Sequence, residues 1–167
     1  MKIKLLTLLL LIFTSSLLAK NVKFAWLTDT HIGYKNTDKG LESIVSSINK
    51  TDSIDFVVAT GDITEKGTSK ELETAKSILD KLNKPLYILP GNHDTKWSET
   101  GGAKFIEFWG DDKFVFQFDN SLFIGLNSGI PWRGGGGHIQ PDDLIWLEEK
   151  LAKSDSGTHV YFLFIIL

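Results

Sequence analysis

Three short apolar runs, separated by two segments of helical periodicity, constrain the fold of this chain more than any other sequence feature. The runs cover residues 24–27, 56–59 and 86–89, and polar residues or prolines bound each of them. Such runs are typical of strands buried on both faces. Between them, residues 41–48 place apolar side chains at helical spacing, and a second helix opens at Thr68 with a capping-box pattern. The alternation predicts a parallel sheet with helical crossovers.

The second half of the chain predicts a different arrangement of elements. Residues 114–118 and 122–126 flank a turn and are typical of a hairpin. A glycine-rich flexible loop at 134–137 precedes a helix that starts at Pro141, and an apolar strand is predicted over 160–167. Neither a repeat nor a linker is visible in the sequence. The expectation is therefore an α/β fold in a single domain.

The N-terminus has the pattern of an export signal. Lys2 and Lys4 precede an uncharged run over residues 5–18, and Ala19 follows before Lys20. A short basic region, an apolar region and a small residue predict a signal peptide over 1–19, with the domain occupying 20–167. The alternative is an uncleaved membrane anchor. The first interpretation predicts a periplasmic or secreted protein, with no stable membrane span after cleavage.

Composition excludes several classes of site. The chain contains no cysteine, so disulfides, thiolate metal sites and cysteine nucleophiles are excluded. The formal net charge is -3 and no basic stripe is visible in the sequence, so no electrostatic footprint indicates a nucleic-acid partner.

Polar side chains follow each of the three predicted parallel strands. Asp29 and His31 come after the first strand, Asp62 after the second, and Asn92 with His93 and Asp94 after the third. The carboxyl ends of parallel strands meet at one edge of a sheet, where ligands bind in such folds. Each motif alone is weak, because a turn or a helix cap explains it equally well. Their joint placement predicts a metal site.

The residue types indicate the chemistry of that site. Carboxylate, imidazole and amide oxygen ligands suit a divalent ion such as manganese, iron or zinc. Asp62 lies on the central strand and can bridge two ions, which would clamp a phosphate and activate a water. His93 is placed to protonate the leaving oxygen, and Asp94 is expected to hold the His93 ring in one tautomer.

These motifs resemble those of a known family. Asp29-Thr30-His31, Gly61-Asp62-Ile63-Thr64 and Gly91-Asn92-His93-Asp94 are similar to the first three signature blocks of calcineurin-like metallophosphoesterases. The similarity extends from about residue 23 to residue 151. The resemblance implies a sandwich of two mixed β-sheets flanked by helices. It also implies a first metal held by Asp29, His31 and Asp62, a second held by Asp62 and Asn92, and a catalytic role for His93.

The chain departs from the family pattern in its last part. The family carries a fourth block with one histidine after the next core strand and a fifth block, Gly-His-x-His, later; neither is found here. His159 lies at the wrong end of the last predicted strand, and His138 either reaches the site or belongs to a mobile loop. The expectation is a fold lacking its C-terminal part, with weak metal binding, low activity and self-association.

The resemblance and the residues together predict a metal-dependent phosphoesterase. Its substrate is a phosphomonoester or a phosphodiester, hydrolysed by a water that two metal ions activate. The alternative is an inactive remnant or binding domain with an incomplete metal site. A phosphate-binding module without metal lacks support, since the glycine-rich phosphate-loop patterns are absent. Three aromatic residues either line the substrate cleft or pack in loops: Tyr34, Trp97 and Trp132. Three others are expected in the core: Trp26, Phe108 and Trp146.

Overall fold

The computed structural model describes residues 21–129 and 137–165. Its first half is the predicted alternation of strands and helices: β1 (Phe24–Leu27), α1 (Thr37–Asn49), β2 (Phe56–Thr60), α2 (Ser69–Leu79) and β3 (Leu86–Leu89). The strands are parallel, in the order β1-β2-β3. The prediction of a parallel sheet with helical crossovers is confirmed.

Local sequence explains where α2 begins. The Thr68 hydroxyl accepts from the Glu71 backbone N–H, and the Glu71 carboxylate accepts from the Thr68 backbone N–H. This reciprocal cap satisfies two donors that a helix start leaves free. The apolar faces of α1 and α2 then pack on one face of the first sheet. That core also takes in Phe105 from a later helix.

The second half contains α3 (Ala103–Trp109), β4 (Phe114–Phe118), β5 (Ser121–Gly125), α4 (Pro141–Leu151) and β6 (His159–Leu163). Strands β4 and β5 form the predicted hairpin, and β6 pairs in parallel with β5. Helix α3 is absent from the sequence prediction. The last strand is shorter than the predicted 160–167, whose final two residues lie outside the described part of the chain.

An aromatic core joins the two sheets. Phe56 of β2 stacks on Phe24 at 5.2 Å between ring centroids and meets Phe116 and Phe123 edge-on at 5.0 and 5.1 Å. A separate cluster packs α4 against the outer face of the second sheet. The layers are therefore helices, sheet, sheet and helix, which confirms the two-sheet sandwich. Within residues 21–129 the first sheet is purely parallel, whereas two mixed sheets were expected.

Strand β1 corrects the prediction for Trp26. Its side chain is 59% exposed, and β1 is the edge strand of the first sheet. Trp146 and Phe108 are partly buried against the apolar clusters, as expected. The predicted signal peptide, Trp132 and most of the 134–137 loop lie outside the described residues. Among the helices of residues 21–129 and 137–165, none has the length and apolar character needed to cross a membrane.

Candidate metal centre

The three strand tips are held together by backbone hydrogen bonds. The N–H of Asp29 donates to the carbonyl of Gly61 at 3.2 Å, and the N–H of His31 donates to the carbonyl of Asp62 at 2.9 Å. The Gly61 N–H in turn donates to Leu89 at 3.0 Å. The parallel pairing thus continues past the strand ends. It brings the residues of the first and second predicted motifs side by side.

Three predicted ligands have left-handed backbone conformations. The φ angles are +55° at Asp29, +44° at His31 and +49° at Asp62. A residue with a side chain pays about 1–2 kcal/mol for this region, although Asp and His tolerate it better than most. Such strain concentrates at functional sites, where the surrounding structure enforces it. Here it turns three side chains toward the same edge of the sheet.

Asp29, His31 and Asp62 form a group that fits a metal ion. One ligand atom from each lies within 4.8 Å of the others. Nε2 of His31 is 3.8 Å from Oδ1 of Asp29. Asp62 is buried, with 7% of its surface exposed, and a buried carboxylate needs compensation by donors or a cation. Two carboxylates and one imidazole suit a divalent transition metal.

Asn92 faces both Asp62 and Trp97. In the amide orientation that satisfies hydrogen bonding, its nitrogen lies 3.1 Å from Oδ1 and 3.3 Å from Oδ2 of Asp62, and its oxygen lies 3.1 Å from Nε1 of Trp97. In the reverse orientation the amide oxygen would meet two carboxylate oxygens, which only a cation between them would make favourable. Asn92 is therefore close enough to Asp62 to share an ion with it once its amide turns.

Gly91 explains how the third tip approaches the second so closely. A Cβ at this position would overlap Oδ1 and the backbone nitrogen of Asp62. Only glycine allows the backbone before Asn92 to lie against the Asp62 carboxylate. The requirement for Gly91 is thus one of space, not of a positive φ angle.

His93 lies beside the metal group. Its ring centroid is 4.7 Å from that of His31, and its backbone N–H donates to Oδ1 of Asp62 at 3.2 Å. Nδ1 of His93 is 2.6 Å from the backbone carbonyl of Glu65. A carbonyl oxygen only accepts, so Nδ1 carries the proton and Nε2 is the nitrogen left for chemistry.

Asp94 has a different role from the predicted one. Its carboxylate accepts from the N–H groups of Ile63 at 3.0 Å, Thr64 at 2.9 Å and Gly91 at 2.9 Å, and from the Thr64 hydroxyl at 2.6 Å. Burial raises the pKa of Asp94, and these hydrogen bonds oppose the rise. Asp94 thus ties two strand tips together, while the backbone of Glu65 contacts the His93 ring.

Glu65 and Trp97 contribute contacts that the sequence prediction did not assign. The Glu65 carboxylate, His31 and His93 form a second group whose ligand atoms lie within 4.8 Å of one another. The signal available in the sequence was a carboxylate three residues after Asp62, in the same strand-tip loop. Trp97 is 60% exposed and its ring centroid is 6.0 Å from that of His93. It therefore lies at the mouth of the site, one of the two places predicted for it.

The other candidates lie elsewhere. Tyr34 is exposed and lines a cavity of about 400 Å³ beside the start of α2. His138 lines a separate cavity of about 380 Å³ with Ser128 and Phe164. His159 begins β6 and is exposed, as expected for a surface residue. Neither histidine belongs to a metal-compatible group among the described residues.

Comparison with known proteins gives a family match over most of the chain. The model of the calcineurin-like phosphoesterase family matches residues 22–163. A probable glycerophosphodiester phosphodiesterase from Arcobacter nitrofigilis is 33% identical over 141 residues, covering 76% of this chain and 50% of the relative. A glycerophosphodiester phosphodiesterase from Enterobacter lignolyticus is 35% identical over 153 residues, covering 80% and 52%.

The chain is also similar in sequence to a probable cyclic nucleotide phosphodiesterase and in fold to a purple acid phosphatase. A probable cyclic nucleotide phosphodiesterase from Vesicomyosocius okutanii is 30% identical, covering 80% of this chain and 57% of the relative. The purple acid phosphatase of yellow lupin seeds superposes with a TM-score of 0.60 at 15% identity, covering 86% of this chain and 30% of that one. At that identity the likeness concerns the fold. The chain spans about half the length of the curated relatives it matches.

Proposed function

The chain belongs to the calcineurin-like phosphoesterase family, and from that premise we propose that it hydrolyses phosphodiesters with divalent metal ions bound at the strand tips. The observation that carries the proposal is the convergence of Asp29, His31 and Asp62 within 4.8 Å at the carboxyl edge of the parallel sheet. The names of the relatives favour a diester over a monoester.

The predicted ligands would bind the metal ions, and His93 would transfer a proton. Asp29, His31 and Asp62 would hold one ion, and Asp62 with Asn92 would contribute to a second. Divalent ions at such a site supply activation of water and neutralisation of phosphoryl charge. Nε2 of His93 points away from the Glu65 carbonyl and would transfer a proton to the leaving oxygen.

The test is an assay of two aryl substrates with added manganese or zinc. We expect bis(p-nitrophenyl) phosphate to be hydrolysed faster than p-nitrophenyl phosphate, and chelation to abolish turnover. Asp62→Asn should lower kcat/KM by about 10²-fold or more, because the buried carboxylate is lost from the metal group. Asp80→Asn, at the exposed end of α2, is the matched control. Equal turnover in both variants would contradict the proposal.

A second candidate is a binding domain with the same fold and an incomplete metal site. It is favoured by the modest number of predicted ligands for a second ion, since Asp62 and Asn92 are the two assigned to it among residues 21–129 and 137–165. The same preparation separates the candidates when metal content is measured beside turnover. Metal bound without hydrolysis of either substrate would support the binding domain.

Export also belongs to the proposal, supported by the basic and apolar pattern of residues 1–19. Expression in a bacterium followed by fractionation tests it. We expect the periplasmic fraction to contain a chain whose N-terminal peptide begins at Lys20. A chain retaining Met1 in the membrane fraction would instead support an uncleaved anchor.

A further inference from the structure

Glu65 occupies the loop that follows β2, three residues after Asp62. Its backbone N–H donates to the carbonyl of Ile32 at 2.9 Å, which fixes this loop against the loop that follows β1. The side chain is partly buried, with 29% exposed. Glu65 thus lies between the loop of His31 and the loop of His93, and it contacts both rings through different atoms.

The backbone of Glu65 sets the tautomer of His93. The 2.6 Å contact between the Glu65 carbonyl and Nδ1 of His93 requires a proton on that nitrogen. In the neutral ring, Nε2 then has a free lone pair. This contact does not depend on the Glu65 side chain.

The side chain of Glu65 acts on His31. Its Oε2 lies 3.0 Å from Nδ1 of His31. This buried Nδ1 has no hydrogen-bond partner among the described residues, so the carboxylate acts on it through its charge. An ionised carboxylate only accepts, and its nearness favours a proton on Nδ1. Nε2, the nitrogen 3.8 Å from Asp29, is then free to bind a metal.

We propose that Glu65 is a positioning residue that places the proton of both histidines on Nδ1, His93 through its carbonyl and His31 through its carboxylate. A carboxylate on the far nitrogen of a ligating histidine fixes the ring and makes the ligand more basic. The consequence for metal binding rests on the proposed function. The tautomers themselves are a property of the metal-free protein.

The experiment records long-range ¹H–¹⁵N spectra of the metal-free, ¹⁵N-histidine-labelled chain at about pH 8.5, where an ordinary histidine ring is neutral. We expect Nδ1–H signatures for His31 and His93 in the wild type. In Glu65→Ala, His31 should lose this signature while His93 keeps it. Glu65→Gln should retain it at His31, because the amide oxygen still accepts. Glu42→Ala, on the exposed face of α1, should change neither ring.

Two outcomes would overturn the inference. If His31 kept its Nδ1–H signature in Glu65→Ala, the carboxylate would not control the tautomer of His31. Loss of both signatures would mean that the loop had moved, and that Glu65 is merely structural. Metal titration adds a second readout: manganese or zinc affinity should fall by about 10–100-fold in Glu65→Ala and by less in Glu65→Gln. If the wild type binds no metal, the proposed function fails, but the spectra still decide the role of Glu65.

Discussion

Asp94 and Thr64 join the third and second strand tips through a 2.6 Å hydrogen bond from the threonine hydroxyl to a fully buried carboxylate. Three backbone N–H groups complete the coordination of that carboxylate. The site therefore depends on a residue that lies beside the candidate ligands and outside both metal-compatible groups.

Asp94→Asn should destabilise the chain by about 2–4 kcal/mol. The amide nitrogen cannot accept a hydrogen bond, so at least one buried donor of Ile63, Thr64 or Gly91 would lose its partner. The measurement is the free energy of unfolding in urea. Asp80→Asn, on the surface, is the control and should cost less than about 0.5 kcal/mol. A similar small loss in both variants would contradict the bridging role.

Trp97→Phe should raise metal affinity by about 2–10-fold, the equivalent of one hydrogen bond. In the amide orientation that satisfies hydrogen bonding, the Asn92 oxygen accepts from Nε1 of Trp97. A metal ligand at Asn92 requires that oxygen to turn toward Asp62, which breaks the bond. Removing the indole donor removes this competition. Calorimetric titration with manganese measures the effect.

The control for Trp97 is Trp26→Phe, since Trp26 is equally exposed and donates to Thr60 in the first sheet. Metal affinity should not change in this variant. Unchanged or weaker binding in Trp97→Phe would mean that the Asn92 amide does not turn when the ion binds.

His93→Ala should lower kcat by about 10²–10⁴-fold while leaving metal content unchanged. A proton donor acts as charge develops on the leaving oxygen, so the loss should shrink for an aryl leaving group. Rates for aryl and alkyl diesters, with metal analysis, measure both effects. A uniform loss across leaving groups accompanied by loss of metal would make His93 a ligand instead.

The sequence predicts those parts of the fold that depend on interactions between residues close together in the chain. The strand bounds at 24–27 and 86–89 and the cap at Thr68 follow from local patterns, and the structure confirms them. Trp26 was assigned to the core because an apolar run carries no information about which strand becomes an edge. Helix α3 was missed because it buries only Phe105 and is flanked by glycines.

The site shows the same division. Its location at the strand tips follows from the order of parallel strands, so the sequence could place Asp29, His31 and Asp62 together. Asp94 adjoins His93 in sequence, and that proximity suggested a contact. In the structure the side chains of His93 and Asp94 point in different directions, because the Asp94 carboxylate accepts hydrogen bonds from the backbone N–H groups of Ile63 and Thr64 in the loop after β2. Glu65 follows Asp62 by three residues, which places it in the same loop, but its contact with His31 arises only through tertiary folding.

Lys113→Met should destabilise the chain in a pH-dependent way. Lys113, the residue before β4, donates to Asp143 of α4 at 3.0 Å. Burial alone would lower the pKa of Lys113, but the hydrogen bond to Asp143 and the charges of Asp112 and Asp111 raise it above 10.5. Because the pKa of Lys113 is higher in the folded chain than in the unfolded chain, its charge stabilises the fold in full at pH values below the unfolded pKa of 10.5. This contribution is lost as the pH rises through the folded-state pKa.

Unfolding free energies of the wild type and Lys113→Met should therefore differ by a constant amount from about pH 8 to pH 10 and converge above it. Lys39→Met, on the exposed face of α1, controls for general effects of removing a lysine. A difference that persists unchanged to about pH 12 would assign the loss to packing against Trp146, 6.0 Å away, instead of to charge.

The 167-residue chain should self-associate through β6. Within the described residues β6 pairs only with β5, so its outer edge presents unpaired backbone groups. Tyr161 and Phe162 are 48% and 47% exposed and lie on opposite faces of that strand. An open, apolar edge strand is a template for pairing with another copy.

Phe162→Lys should place a charge on this edge and shift the chain toward monomer in light scattering across a concentration series. Ile44→Lys, a substitution of a similarly exposed residue on α1, should leave association unchanged. If both variants associate like the wild type, the contact lies elsewhere, and the open edge of β6 does not govern the solution behaviour of this chain.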